Sequence, residues 1–435
     1  MKFRLFEVFD YVLFFPVVLL IIIGICFIYS SGFNEYGINT SNEYIKQIIF
    51  ASSGLLLLIL FSFIDYRKLK RFMLYGYLGL LLILIYTRFF GSEVNGARSW
   101  IGFGGIGLQP SELGKIVFIM FFAKELEDTE NMEPLRRFFL LCVIMALPAG
   151  LILLQPDLGT ASVYIPIFLG MCLVAGLPLR YIMLVLCTGL VTILFTILPV
   201  YQAEIAQKTI QVINILSNMR LRLIVIVCLS IVFLLSVTAY FFLRQKYFYW
   251  ISYCSGIIIA SLLLSLVAGK VLKDYQLKRL IIFLDPESDP NGFGWNIRQS
   301  KIAIGSGRLF GQGFLKGTQS HYKYLPERST DFIFSLISEE WGFIGGFAVF
   351  ALYFIVLLRI IFILKNTTNT YGYYIATGIL FMFFFHFMVN VGMVMGLMPI
   401  TGIPLLFLSY GGSALWTSML CIGILMSIHN RRLDF

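Results

Sequence analysis

Asp331 closes the run Tyr-Leu-Pro-Glu-Arg-Ser-Thr-Asp at 324–331, where a polar stretch meets a long apolar one. A carboxylate at such a boundary, close in sequence to Lys323 and Arg328, is costly to place and marks a functional site by default. The segment before it, Lys270 to Arg328, carries ten basic residues against five acidic ones. Guanidinium groups match phosphate oxygens bidentately, so arginine and lysine gathered here suit a phosphorylated, lipid-tethered substrate. Gly305, Gly307, Gly311, Gly313 and Gly317 lie among Lys301, Arg308 and Lys316, where exposed backbone amides can approach an anion. A solvated loop resting on anionic lipid head groups would carry the same charge. Glycine-rich spacing is common, so both readings stay open on this segment alone.

The elements that hold this segment are membrane helices. Hydrophobic residues make up 59% of the chain and charged residues 13%, and the apolar residues come in long runs that a soluble core cannot use. Only helices or closed barrels satisfy the backbone in hydrocarbon, and runs of about 17 to 25 residues select helices. Twelve spans are expected, near 11–29, 48–64, 72–90, 112–124, 137–154, 160–177, 181–200, 222–243, 248–268, 332–364, 371–392 and 405–428. The first follows Lys2 and Arg4 without a small-residue cleavage site and reads as an uncleaved anchor. The expected fold class is an all-α polytopic membrane protein: a single membrane domain over 1–435, with a large extracytoplasmic loop at 269–331. All seven cysteines lie inside apolar runs with no Cys-x-x-Cys pair, so neither a disulfide framework nor a zinc site is indicated.

Lysine and arginine set the orientation. With the N-terminus inside, the cytoplasmic side collects Lys2, Arg4, Arg67, Lys68, Lys70, Arg71, Lys124, Arg136, Arg137, Arg180, Arg244, Lys246, Arg359, Lys365, Arg431 and Arg432, while the short outer loops are nearly bare. Both termini are then cytoplasmic, and the basic segment with Asp331 is outside.

The stretch from Ile297 to Gly342 closely resembles the signature of the SEDS family (shape, elongation, division and sporulation proteins). Gly317-Thr318-Gln319 and Pro326-Glu327-Arg328 point within it to the RodA branch. Asn95–Ile101 (NGARSWI), Gln109–Lys115 (QPSELGK), Gln155–Thr160 (QPDLGT), Asp274–Pro290 and Pro399–Ser413 (PITGIPLLFLSYGGS) resemble further family motifs in family order. The resemblance implies a peptidoglycan glycosyltransferase that polymerises lipid II outside the bacterial cytoplasmic (inner) membrane, with the aspartate of the Thr-Asp-Phe block, here Asp331, as the essential residue. Such a reaction needs a base for the proton of the attacking sugar hydroxyl and a positive environment for the departing undecaprenyl diphosphate. Asp331 is the expected base. Arg328, Lys323 and Lys316, with Arg98 and Lys115, are the candidates for the diphosphate. Attack on an α-linked diphosphate to give a β-linked glycan is a single inversion, which demands no covalent enzyme intermediate.

Other positions carry weaker arguments. Trp100 can stack on a sugar or anchor at the membrane interface. Lys115 sits about one turn into a helix that Pro110 can start, and there it either snorkels outward or points into a polar cavity, which we favour. Ser111, in the same motif, is expected to support the site. Asp157 can cap the helix that follows Pro156. Glu327 is expected either to pair with Arg328 or to orient it. Glu339 and Glu340 are expected to line a polar groove. His386 and Asn390, four residues apart, share a helix face and suit interhelical hydrogen bonds. No metal site is evident; the outer acids can hold a divalent cation with a diphosphate, but no ligand cluster marks it.

This sequence departs from the family pattern at Ser329, where a histidine is usual, at Arg308 for a usual glycine, and at Leu405, Leu406 and Ala414. It also has three spans at 181–268 where the family usually has one, which reads as a two-helix insertion on a core of ten, placed at 181–243. The partners implied are lipid II and the nascent glycan strand, a class B penicillin-binding protein (transpeptidase), elongation-complex proteins and membrane lipid, with no nucleic acid. A transporter of lipid-linked precursor and a catalytically silent scaffold are the alternatives; charges few in mid-span argue against the transporter.

Overall fold

A computed structural model describes residues 9–34, 36–94, 96–103, 106–202, 211–290, 292–322 and 324–431. In chain order the helices are α1 (Tyr11–Ser31), α2 (Glu43–Phe63), α3 (Tyr66–Leu69), α4 (Met73–Phe90), α5 (Pro110–Asp128), α6 (Pro134–Leu154), α7 (Leu158–Val174), α8 (Leu179–Tyr201), α9 (Gln211–Ser217), α10 (Met219–Leu243), α11 (Lys246–Val271), α12 (Asp274–Leu284), α13 (Phe293–Ser306), α14 (Thr318–His321), α15 (Ile333–Lys365), α16 (Thr370–Val394) and α17 (Gly412–Asn430). An antiparallel sheet of β1 (Ser92–Val94), β2 (Ala97–Phe103) and β3 (Ile106–Leu108) joins α4 to α5.

Helices lie at all twelve expected positions, and ten among the described residues are long and apolar enough to cross a membrane. The other two fall short for visible reasons. α7 has 17 residues, and α5 ends in the charged run Lys124, Glu125, Glu127, Asp128. Length and apolarity therefore support ten crossings, which is a smaller number than the twelve expected. The last span also begins later than its apolar run suggests. Residues 405–411 are not helical, and Gly411 at φ 157° breaks the path before α17 starts. Their apolarity reflects burial in protein, where non-helical backbone is tolerated. The segment expected as a loop at 269–331 holds α12, α13 and α14.

The chain divides into two compact units, one of residues 1–176 and 289–435 and one of residues 177–288. In the larger unit α16 and α17 are the core: 72% and 83% of their most apolar windows are buried. α16 packs on α5, α7 and α15, and α17 on α2. Close approach depends on small residues; a Cβ on Gly24 of α1 would lie 2.7 Å from the Leu408 carbonyl oxygen. Helix ends pair through charge. Arg359 at the end of α15 grips Asp10 before α1 at 2.7 and 2.9 Å, Lys70 before α4 reaches Glu127 at 2.7 Å, and Arg431 after α17 lies 3.7 Å from Asp65 after α2. These residues come from the loops the charge rule assigns to one side. In the smaller unit α11 packs on α8 and α10. Arg222 of α10 is buried there and donates to the carbonyls of Leu262 (3.0 Å) and Leu216 (3.4 Å) and to the Ser265 hydroxyl, a solution typical of a charge within a span.

Candidate functional site

Asp331 ends a tight turn. Glu327 takes φ 49°, uncommon for a residue with a Cβ, and its carbonyl oxygen receives the N–H groups of Thr330, Asp331 and Phe332 at 3.1 to 3.2 Å. Three successive carbonyls of the turn are then held from outside it. Tyr410 N–H donates to Ser329 O at 2.8 Å, the Ser409 hydroxyl to Thr330 O at 2.6 Å, and Asn390 Nδ2 of α16 to Asp331 O at 3.0 Å. The outer supports are themselves fixed. Asn390 Nδ2 also donates to Ile403 O at 2.8 Å, Ser409 Oγ accepts from Leu405 N–H at 2.9 Å, and Gln47 of α2 brackets the segment through Ser409 O and Gly411 N–H. Asp331 itself stays partly exposed. Its backbone is fixed while the residue keeps some exposure, which suits a reacting group.

One turn back along α16, His386 leads to Lys115. Pro110 starts α5 at its first position, and Lys115 is only 1% exposed. Its ammonium donates to Glu112 Oε1 at 2.7 Å and lies 3.1 Å from His386 Nε2, while His386 Nδ1 lies 3.0 Å from Pro404 O. A carbonyl only accepts, so His386 carries its proton on Nδ1 and offers the Nε2 lone pair to Lys115. The lysine points inward, as favoured from sequence. Asn390 and His386 thus hold consecutive carbonyls, those of Ile403 and Pro404, and join the Lys115 cluster to the Asp331 turn. Ser111 Oγ, Glu112 Oε2, Asn390 Oδ1 and Thr401 Oγ1 are buried without a hydrogen-bond partner among the described residues. Buried polar atoms left in this way mark a place for water or for a polar ligand.

Asp157 caps α7, accepting from Thr160 N–H at 3.0 Å and Thr160 Oγ1 at 2.9 Å. It does more than cap. Gln109 Nε2 donates to it at 2.7 Å while Gln109 N–H donates to the Ser413 hydroxyl at 2.9 Å, so α5, α7 and α17 meet there.

The cations separate by environment. Arg328 is half-buried; its Nη2 donates to Phe33 O at 3.3 Å and its Nη1 is buried without a hydrogen-bond partner among the described residues. Burial pulls its pKa below the usual arginine value, while the carboxylates of Glu43, Glu339 and Glu340 oppose that pull. Glu327 accepts from Thr330 Oγ1 at 3.2 Å. Lys316 is exposed, with its stem beside Gly313. Arg98 is half exposed on β2 and pairs with Glu93 Oε2 at 3.3 Å. Trp100 lies on the same strand, its ring against Gly107 of β3. Lys323 lies outside the described residues. Glu339 and Glu340 are wholly buried and hold backbone of the 315–320 stretch. Sequence reasoning missed Gln47 and His321, which carry no local signal.

The fold and site define a polytopic helical membrane protein in which the turn ending at Asp331 is held by Asn390 of the buried helix α16 and by Ser409 and Tyr410. The family described as "Cell cycle protein" (FtsW/RodA/SpoVE) matches residues 10–209 and 206–433. The chain belongs to that family. It is 51% identical over 433 residues to peptidoglycan glycosyltransferase RodA of Treponema pallidum (strain Nichols), covering 100% of both chains. It is 32% identical over 379 residues to peptidoglycan glycosyltransferase MrdB of Escherichia coli (strain K12), covering 87% of this chain and 83% of that one. Among solved structures it is similar to a chain from a peptidoglycan synthase complex in which polymerization and crosslinking are coordinated, at TM-score 0.68 and 25% identity over 98% of this chain and 99% of that one. The Thermus thermophilus rod shape determining protein RodA shares the fold at TM-score 0.61 and 23% identity, over 98% of each chain.

Proposed function

We propose that this chain is a peptidoglycan glycosyltransferase of the RodA branch that lengthens glycan strands from lipid II, with Asp331 as general base. The attacking sugar hydroxyl gives its proton to the Asp331 carboxylate as its oxygen bonds to the anomeric carbon. The bond from that carbon to undecaprenyl diphosphate breaks, and the electron pair leaves with the diphosphate. A positioned base contributes about 10² to 10⁴-fold to such a step. Arg328 is the leading cation for the leaving group, since it is half-buried and has a guanidinium nitrogen to spare. Lys316 and Arg98 are exposed, so their pull is screened by salt. Lys115 holds Glu112 and His386, and acts by shaping the cavity. We further propose that the site faces outward from a bacterial cytoplasmic membrane, that both termini are cytoplasmic, and that a class B penicillin-binding protein crosslinks the product.

The observation that supports this reading best is the triple clamp on the carbonyls of Ser329, Thr330 and Asp331. Incubating the purified protein and its crosslinking partner with lipid II tests it. Glycan strands from the wild type and none from folded Asp331→Ala support the enzyme. Equal polymer from both excludes Asp331, and no polymer from either favours the transporter or the scaffold.

A further inference from the structure

α15 is broken at Gly342, whose φ of 66° and ψ of −158° lie where glycine alone is comfortable. A break strands backbone groups, and in apolar surroundings these need other partners. The chain from Arg308 to Gly313 supplies them. Gln312 and Gly313 donate to the carbonyls of Glu339 and Glu340 at 3.0 Å, and Phe343 and Ile344 donate to the carbonyls of Arg308 and Leu309 at 2.8 and 3.2 Å. The fit is close, since a Cβ on Gly311 would lie 2.0 Å from the Glu340 carbonyl oxygen.

Two buried carboxylates fasten the residues that follow. Glu339 accepts from the N–H groups of Gln319 (2.6 Å) and Ser320 (3.2 Å) and from the Ser320 hydroxyl (2.8 Å). Glu340 accepts from Leu315 N–H on Oε2 at 3.2 Å and from the Ser30 hydroxyl on Oε1. The same Oε1 lies 3.3 Å from His321 Nε2, an ion-pair contact without the alignment of a hydrogen bond. On its other side, His321 Nδ1 lies 3.3 Å from Phe33 O, the carbonyl that also receives Arg328.

Proton counting decides the state of this pair. A neutral imidazole has one N–H and one lone pair, so either tautomer would leave one ring nitrogen without a proton beside an oxygen that only accepts. Both oxygens of Glu340 already accept, Oε2 from the Leu315 N–H and Oε1 from the Ser30 hydroxyl, so the carboxyl presents acceptor atoms to the ring. The extra proton therefore sits on the ring.

We infer that His321, as an imidazolium held between Glu340 and Phe33, is a positioning residue that ties the 312–321 segment to the end of α1 and keeps Arg328 in place for the diphosphate. This rests on the reading of Arg328 given above. Among the described residues, the charged groups facing His321 are Glu340 from α15 and Arg328 from the turn; Glu339 and Glu43 act on Arg328. The Glu340 contact raises the His321 pKa above its ordinary 6.5, against the opposing effects of burial and Arg328. A raised value means that the clamp is complete at low pH and is lost as pH rises through the folded pKa.

The test has two readouts on the full chain. Ring ¹⁵N spectra in detergent, with the signal identified by its loss in His321→Asn, are expected to show His321 titrating above 6.5. A ring already neutral at about pH 6 overturns the inference. Glycan synthesis from lipid II with the crosslinking partner, followed over about pH 6 to 9, is expected to show KM rising roughly tenfold through the same midpoint while kcat moves little. His321→Asn, or His321→Gln if the first variant does not fold, is expected to hold KM high and flat with pH. A variant profile that overlays the wild type overturns the inference. A wild type that makes no glycan refutes the proposed function, and the ring titration then decides the clamp by itself.

Discussion

The turn that ends at Asp331 and the sheet that carries Arg98 and Trp100 both hold candidates for the reaction, yet they are built in opposite ways. Each of three carbonyls in the turn has its own donor, from Tyr410, Ser409 and Asn390, and two of those donors are buried. In the sheet, the side chains of Arg98 and Glu93 are 52% and 53% exposed and, among the described residues, pair with each other. A group that must meet a reacting atom needs the first arrangement, because a misplacement of about 1 Å can cost 10²-fold in rate. A group that gathers a charged substrate works well from the second.

Substitutions can break or sharpen that contrast. The largest effect on the fold is expected from Lys115→Met, which leaves Glu112 buried without its cation and costs about 3–5 kcal/mol. Thermal unfolding in detergent measures it, and Glu112→Gln in the same chain is expected to recover part of the loss. Asn390→Leu comes next. It strands the carbonyls of Asp331 and Ile403 at about 1–3 kcal/mol, and the rate is expected to fall in kcat with KM held; a change confined to KM would mean that the clamp does not position the base. Arg98→Ala is expected to do least, within about 1 kcal/mol in stability, with a KM increase that fades as salt is added. A kcat loss in Arg98→Ala as large as that in Asn390→Leu would erase the difference between the two regions.

Much of this was legible in the sequence because its signals are local. Pro110 before a helix, Asp157 before Leu158, and His386 four residues from Asn390 each announced a geometry that the structure has. Apolar runs located the helices, since nothing but a helix suits a single span in hydrocarbon. What failed was what apolarity does not encode. Leu405 to Leu408 read as helix, yet they are buried and non-helical, with the Leu405 N–H held by the Ser409 hydroxyl and the Leu406 carbonyl by the Tyr353 hydroxyl. The sequence offered Glu327 as a neighbour that pairs with Arg328 or orients it, whereas the hydrogen bond seen from the arginine goes to Phe33, 295 positions away, which carries no signal. Glu339 and Glu340 were legible as costly, but their partners at 315–321 were not, because the break at Gly342 that creates the arrangement was hidden inside a long apolar helix.

The central claim is that a clamped turn presents one carboxylate as the base. Asp331→Asn tests it most directly, since the amide keeps the shape and loses the basicity. Lipid II binding and glycan formation should be measured on the same folded sample. The account predicts binding close to wild type and a turnover lower by about 10² to 10⁴-fold. Turnover within a few fold of wild type would contradict it.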